Sequence, residues 1–318
     1  MRDLPTFVAG HRGLVGSALM RELNTRHFSR LITRTRSELD LRDQRAVDAF
    51  FLSERPHVVM LAAARVGGID SNNRNRWEFL HENLTIQDNV LGCALKYDVL
   101  KVVFFGSSCI YPKLAEQPIR EDYLLMGPLE PTNEPYAIAK IAGLKLVEAA
   151  NTQYGRQWLS LMPTNLYGPG DNFDLNTSHV LPAMIRKFHE AELDRSRGVR
   201  TSVKLWGTGN ALREFLHVDD LARAACDLME GGQTGLYNVG SGDELSIRIL
   251  ADTVSRIVGY RGAVEWDASR PDGTPRKLLD SSKVRATGWA PRISLEDGIA
   301  TTYRWYKENW SADSRAAS

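Results

Sequence analysis

Cysteine is scarce in this sequence. Cys93, Cys109 and Cys226 are the only thiols in 318 residues, and three scattered cysteines cannot build a disulfide framework, which favours a reducing, cytoplasmic setting. No CxxC or HExxH spacing occurs, so no metal site is expected. Net charge is nearly absent too: +1, from 40 basic and 39 acidic residues. That argues against nucleic acid or an anionic membrane as a bulk partner. Long apolar runs are missing; stretches such as "HVVMLAAARV" stop well short of the roughly 20 residues a membrane helix needs. The opening "MRDLPTFVAG" lacks the apolar core of a secretory signal. What is present is 43% hydrophobic and 25% charged residues, the make-up of a globular protein with a sizeable core.

Short apolar runs alternate with helical patterns through the first half. Residues 6–10, 30–33, 58–64, 101–108 and 158–165 read as buried parallel strands. Helical stretches lie between them at 14–26, 44–54, 75–97 and 136–153. This alternation predicts an α/β fold, a Rossmann-type doubly wound parallel sheet. After residue 165 the rhythm breaks. "YGPGDNF" reads as a loop, a helix is expected at 179–191, and the basic stretch 194–202 as a loop or lid edge. "VKLW" and 235–240 read as strands, with a helix from "HVDDLARAACDLMEG" between them. The division expected is 1–165 with 214–241 as a cofactor domain, and 166–213 with 242–318 as a smaller, interleaved α/β substrate domain.

"AGHRGLVGSALMREL" places Gly10, Gly13 and Gly16 between the first strand and the first helix. The first glycine permits a tight turn, the second lets backbone approach a pyrophosphate, and the third allows close helix–strand packing. An NAD site carries an acidic residue about 20 positions on, to bind the ribose 2′-hydroxyl. Here that region reads "LITRTRSELD", with Arg34 and Arg36, and Arg12 sits within the turn. Cations there suit a 2′-phosphate, so NADP(H) is expected rather than NAD; a solvated basic loop is the plainer alternative.

"NEPYAIAKIAGLK" carries Tyr136 and Lys140 at i, i+4, on one helix face. A neighbouring cation is expected to lower the phenol and make it a usable acid. Tyr97–Lys101 and Tyr303–Lys307 share the spacing, but the first straddles a helix end and a strand start, and the second follows no strand that would bring it to a cofactor. Ser107 ends the "KVVFF" strand in "GSSCIYPK". Cys109 beside it reads either as a small buried hydrophobe or as a chemical group. Cys93 and Cys226 fall in helix patterns and read as packing residues.

The set Gly10, Gly13, Gly16, Ser107, Tyr136 and Lys140 resembles the extended short-chain dehydrogenase/reductases. "GSSCIYPK", "EPTNEPYAIAKIAG", "MPTNLYGPGDNF", "SHV", "WGTGNALREFLHVDD" and "RPDGTPRKLLD" are similar, more narrowly, to the GDP-L-fucose synthase family. That resemblance implies C3/C5 epimerisation and NADPH-dependent C4 reduction of GDP-4-keto-6-deoxy-D-mannose. It implies that Ser107 orients the carbonyl, Tyr136 donates a proton, Lys140 tunes the tyrosine and holds the ribose, and Cys109 and His179 form the acid–base pair. It places the cofactor against Gly10, His11, Arg12, Gly13, Leu14, Val15 and Gly16, then against Arg36, Ser37, Glu38, Leu39, Asp40 and Leu41. Further cofactor contacts are implied at Ala62, Ala63, Phe105, Gly106, Ser107, Ser108, Tyr136, Lys140, Pro163, Thr164, Asn165, Leu166 and His179. Lys187, Trp206, Arg213 and Asp280 are implied to hold the nucleotide sugar. A homodimer is the usual assembly in that family. The competing functions are an NAD-dependent nucleotide-sugar 4-epimerase or dehydratase, and a non-catalytic NADP-binding regulator.

Overall fold

A computed structural model describes residues 1–270 and 273–310; Pro271 and Asp272 of the "RPDGTPRKLLD" stretch lie outside the described residues, as do the last eight residues of the expected substrate domain. The chain opens β1 (Thr6–Ala9), α1 (Leu14–Thr25), β2 (Leu31–Ile32), α2 (Gln44–Glu54), β3 (Val58–Leu61), α3 (Ile69–Arg74), α4 (Arg76–Lys96), β4 (Lys101–Phe105), α5 (Glu134–Tyr154) and β5 (Leu159–Pro163). It continues β6 (Asn165–Tyr167), α6 (Val180–Ser196), β7 (Ser202–Trp206), β8 (Leu212–His217), α7 (Val218–Glu230) and β9 (Gly235–Val239). The last elements are β10 (Glu244–Ser246), α8 (Ile247–Val258), β11 (Ala263–Asp267), β12 (Arg276–Lys277), α9 (Ser282–Arg285) and α10 (Leu295–Asn309).

Six strands form one parallel sheet in the order β2-β1-β3-β4-β5-β9. Successive side chains on a strand face opposite sides, and the apolar runs fill both. Phe7, Ala9, Val59, Leu61, Val102 and Phe104 join one core with residues of α2, α4 and α5. Val8, Val58, Met60, Val103 and Phe105 join a second with residues of α1 and α7. A sheet covered on both faces needs near-continuous apolar strands, which is what 58–61 and 101–105 supply. The strand order reverses between β1 and β3, so a crevice opens beyond the carboxyl ends of these strands.

A smaller sheet pairs β8 with β6 and β12 in parallel and with β10 antiparallel. Buried Glu214 on β8 ties this sheet to its surroundings, accepting the Gly242 N–H at 2.7 Å and the Leu279 N–H at 3.1 Å. A third core, with Phe173, Phe188 and Tyr306, packs under α6, α8 and α10.

Two elements differ from the sequence reading. The helix expected over 75–97 begins at Arg76 and is preceded by α3, because the Asn75 side chain donates to the Ser71 carbonyl at 2.9 Å and interrupts the run. The basic stretch expected as a loop over 194–202 starts as helix: Arg195 pairs back to Glu192 at 2.7 Å, α6 runs to Ser196, and Gly198 turns the chain at φ 81°.

Candidate active site

Gly10 follows β1 at φ 84°, in the left-handed region that favours glycine. A side chain there would also meet the Ala63 backbone at 2.8 Å. A Cβ on Gly16 would run into the Gly10 carbonyl, with the His11 Cα only 2.7 Å away. The turn and α1 are therefore locked together by two absent side chains. Gly13 differs, since a Cβ there would meet nothing closer than 3.5 Å; its open face is free for a ligand. Gly13 is also the N-cap of α1 and offers no side-chain cap, which leaves the helix's first amides for an anion.

This turn borders a cleft of about 720 Å³ lined by Gly10, His11, Arg12, Gly13, Arg34, Thr35, Arg36, Ser37 and Asp40. Its two downstream arginines are not equivalent. Arg34 is turned onto Glu54 at 2.5 Å and lies over the Phe50 ring at 5.5 Å. Arg36 has only a loose pairing with Asp40 at 3.9 Å, and its side chain is 68% exposed. Asp40 is committed to Arg42, whose hydrogen bonds hold that carboxyl down at about 2. Glu38 accepts from the Thr35 N–H at 2.7 Å and hydroxyl at 2.8 Å, which lowers its pKa. His11 has a buried Nδ1 with no partner among the described residues, and burial, then Arg12, push its imidazole down. Leu39 is core, and Leu41 offers its carbonyl to Asn89. Ala62 and Ala63 follow β3, and Leu14, Val15 and Leu166 pack against the core under α1 and α7.

The second cluster stands past β4. Ser107 caps a single 3₁₀ turn, Ser108–Ile110, and its Oγ accepts the Cys109 N–H at 3.3 Å. Gly106 is pressed against the Met162 side chain, and Ser108 is buried. Pro135 sits in the first turn of α5, where a missing N–H does no harm, and the helix carries Tyr136 and Lys140 inward. Lys140 donates to the Phe105 carbonyl at 2.8 Å and lies 5.8 Å from the Tyr136 ring centre. Burial brings this lysine down to about 8. The expected lowering of the Tyr136 phenol is not what this environment does: burial pushes it up, and negative charge on Cys109 adds to that. The phenol is thereby kept protonated.

Cys109 is buried, and the free thiol lies among chemical groups. It lines a small cavity with Ser108, Tyr111, Asn133, Glu130 and Lys277. Burial raises its pKa; Lys277, then Ser107 and Lys140, oppose that rise. His179 is the N-cap of α6. It is exposed at the mouth of the site, and crowding by the surrounding protein, then Lys277, lower its imidazole. Sequence reading missed Lys277 and Asn133, whose Oδ1 is buried without a partner among the described residues. Both lie within the quoted stretches "RPDGTPRKLLD" and "EPTNEPYAIAKIAG", but nothing in those stretches singles them out, and the folding of β12 against β8 is what brings Lys277 here.

Of the residues expected to hold a nucleotide sugar, Lys187 and Trp206 stand side by side. Lys187 donates to the Lys204 carbonyl at 2.9 Å and lies 5.9 Å from the Trp206 ring. Trp206 is 51% exposed, and Arg270, also missed from sequence, stands 4.9 Å over the ring. Arg213 lies opposite Lys277 in the β8–β12 register. Asp280 accepts the Ser282 N–H at 2.8 Å and faces Arg120. Thr164 and Asn165, just after Pro163, both donate to the Glu214 carbonyl, at 3.2 and 2.8 Å, joining the main sheet to the smaller one.

Residues 6–240 match the family model described as "NAD dependent epimerase/dehydratase family". A probable GDP-L-fucose synthase 1 of Oryza sativa subsp. japonica is 55% identical, covering 95% of this chain and 92% of its own. A GDP-L-fucose synthase of Escherichia coli (strain K12) is 54% identical, covering 95% and 96%. Among solved structures, MlghC, a GDP-mannoheptose C4 reductase from Campylobacter jejuni with NADP bound, is 39% identical with a TM-score of 0.90, covering 96% of this chain and 99% of that one. The chain belongs to the NAD dependent epimerase/dehydratase family, in the group of sequences that includes the GDP-L-fucose synthases.

Proposed function

We propose that this protein converts GDP-4-keto-6-deoxy-D-mannose to GDP-L-fucose, epimerising C3 and C5 and reducing the C4 ketone with NADPH. The observation that carries this reading is a buried thiol, Cys109, in the turn that Ser107 caps and that packs against α5, the helix bearing Tyr136 and Lys140. A simple reductase has no use for a thiol beside its proton donor.

The residues at the glycine turn fit a dinucleotide phosphate. The open Gly13 face and uncapped α1 amides suit a pyrophosphate, the orphaned His11 Nδ1 awaits a partner, and Arg12 and Arg36 would hold a 2′-phosphate. Lys140 would hold the nicotinamide ribose. When bound, NADPH supplies the hydride for C4.

Ser107 and Tyr136 donate hydrogen bonds to the C4 oxygen, which stabilises the enolate formed when a proton leaves C3 or C5. Inversion needs removal from one face and delivery to the other. Cys109 and His179 take those two tasks, moving protons at Sγ and at the imidazole nitrogen. In the reduction, the Tyr136 phenol gives its proton to the C4 oxygen. Its raised pKa keeps that proton in place until negative charge develops on the oxygen. Lys187, Arg213 and Asp280 hold the diphosphate and sugar, and Trp206 offers the flat base a stacking face. The protein works in the cytoplasm as a homodimer paired through α4 and α5; exposed Trp77, Ile138 and Leu146 on those helices support that face.

Incubating the protein with GDP-4-keto-6-deoxy-D-mannose and NADPH tests the reading. Loss of NADPH absorbance with formation of GDP-L-fucose is expected. A product with unchanged C3 and C5 would make it a C4 reductase only, and no NADPH consumption would reject the proposal.

A further inference from the structure

Two lysines approach Cys109, and only one is spent. Lys140 donates to the Phe105 carbonyl at 2.8 Å. Lys277 has no acceptor and no ion-pair partner among the described residues, yet it lines the same small cavity as Cys109. It comes from a two-residue strand whose only role in the sheet is to pair with β8, Lys277 opposite Arg213. Its neighbour Arg276 is committed to Glu244 at 2.7 Å. Lys277 is partly buried, and a partly desolvated cation without a partner is costly until a negative charge is brought to it.

We infer that Lys277 is a positioning residue for proton transfer: its ammonium, in the same cavity as Cys109, stabilises negative charge on the Cys109 sulfur, so that the thiol is the base of the acid–base pair. This rests on the proposed role of Cys109. The direction of its influence is consistent across the site. Lys277 is the largest favourable influence on the thiolate, ahead of Ser107 and Lys140. Burial lowers the pKa of Lys277 itself, and negative charge on Cys109 opposes that lowering, so thiolate and ammonium favour one another; Lys277 also lowers the His179 imidazole, behind burial. The other charged or titratable groups around these three are Tyr136 and Lys140 from α5, Arg213 from β8, and Glu130 from the loop before α5. Glu130 is held by Lys113 at 3.0 Å and does not neutralise Lys277 by contact.

The thiolate can be read without catalysis. The rate of Cys109 alkylation by iodoacetamide, followed by peptide mass spectrometry across a pH series, reports it directly. In the full-length protein, Lys277→Met and Lys277→Gln are expected to slow alkylation at neutral pH about tenfold, the lower end for loss of a nearby opposite charge. The alkylation profile should move to higher pH, while Lys277→Arg restores it and NADPH affinity stays constant in all three. An unmoved profile in whichever of the neutral variants folds, or slowing that Lys277→Arg fails to reverse, would overturn the inference. Neither outcome depends on which sugar nucleotide is turned over, so failure here and failure of the proposed reaction are told apart.

Discussion

Replacing Arg36 by Ala asks whether the cleft beside the glycine turn selects a 2′-phosphate. The side chain is 68% exposed and its only ion pair among the described residues is the 3.9 Å approach to Asp40, a contact worth at most ~1 kcal/mol and often nothing. Removing it should leave the fold intact. An arginine–phosphate hydrogen bond contributes about 1.5–3 kcal/mol, and each ~1.4 kcal/mol is tenfold in affinity, so NADPH binding should weaken by roughly 10–100-fold. Screening by salt places an exposed site near the low end. NADH lacks the phosphate and should bind Arg36→Ala about as it binds the parent protein. Arg34→Ala is the control, because Arg34 is held by Glu54 at 2.5 Å and stacked on Phe50. It should lower the melting temperature and leave the NADPH-to-NADH ratio alone. Fluorescence titration of both nucleotides into both variants measures this. Equal losses of NADPH and NADH in Arg36→Ala, or a ratio changed chiefly by Arg34→Ala, would refute the assignment.

Tyr136→Phe should slow NADPH oxidation by about 10²–10⁴-fold, the range for loss of a general acid, with NADPH affinity retained; a rate within a factor of two of the parent protein removes the phenol from the chemistry. Gly16→Ala drives a methyl group into the Gly10 carbonyl, with the His11 Cα at 2.7 Å, so nucleotide binding should be lost together with ~1–3 kcal/mol of stability, read by thermal denaturation and titration. Asp171 is buried, with one carboxylate oxygen unpartnered among the described residues, and burial raises its pKa to about 7. A carboxyl raised in the folded state contributes stability fully below its unfolded pKa, and that contribution disappears as pH rises through about 7; the span is roughly 4 kcal/mol. Asp171→Asn should therefore flatten the rise in urea resistance on going from alkaline to mildly acidic pH, and parallel curves would exclude this source.

Much of the architecture could be read locally. The runs at 58–61 and 101–105 announce strands buried on both faces, and Gly10 and Gly16 mark a turn where a side chain would collide with backbone. Tyr136 and Lys140 were legible because i, i+4 spacing fixes their common face without any knowledge of the fold. Arg34 and Arg36 show the limit. They are alike in sequence and both line the cleft, and only the position of Glu54 on α2 commits the guanidinium of one of them. Lys277 shows it more sharply. β12 is too short to carry a periodic signal, and its lysine reaches Cys109 only through pairing with a strand from the middle of the chain. The basic run at 194–202 reads as solvent loop, yet α6 continues to Ser196, where Arg195 pairs back to Glu192 on the helix surface.

The central claim is that a thiol and an imidazole exchange protons with both carbons next to the ketone. It is tested most directly by incubating GDP-4-keto-6-deoxy-D-mannose with the NADP⁺-loaded protein in deuterium oxide and measuring label at C3 and C5 by mass spectrometry. Label is expected at both positions with the parent protein, with Cys109→Ser and His179→Gln each sharply slowing its entry while nucleotide affinity holds. Undiminished labelling in both variants would contradict the account.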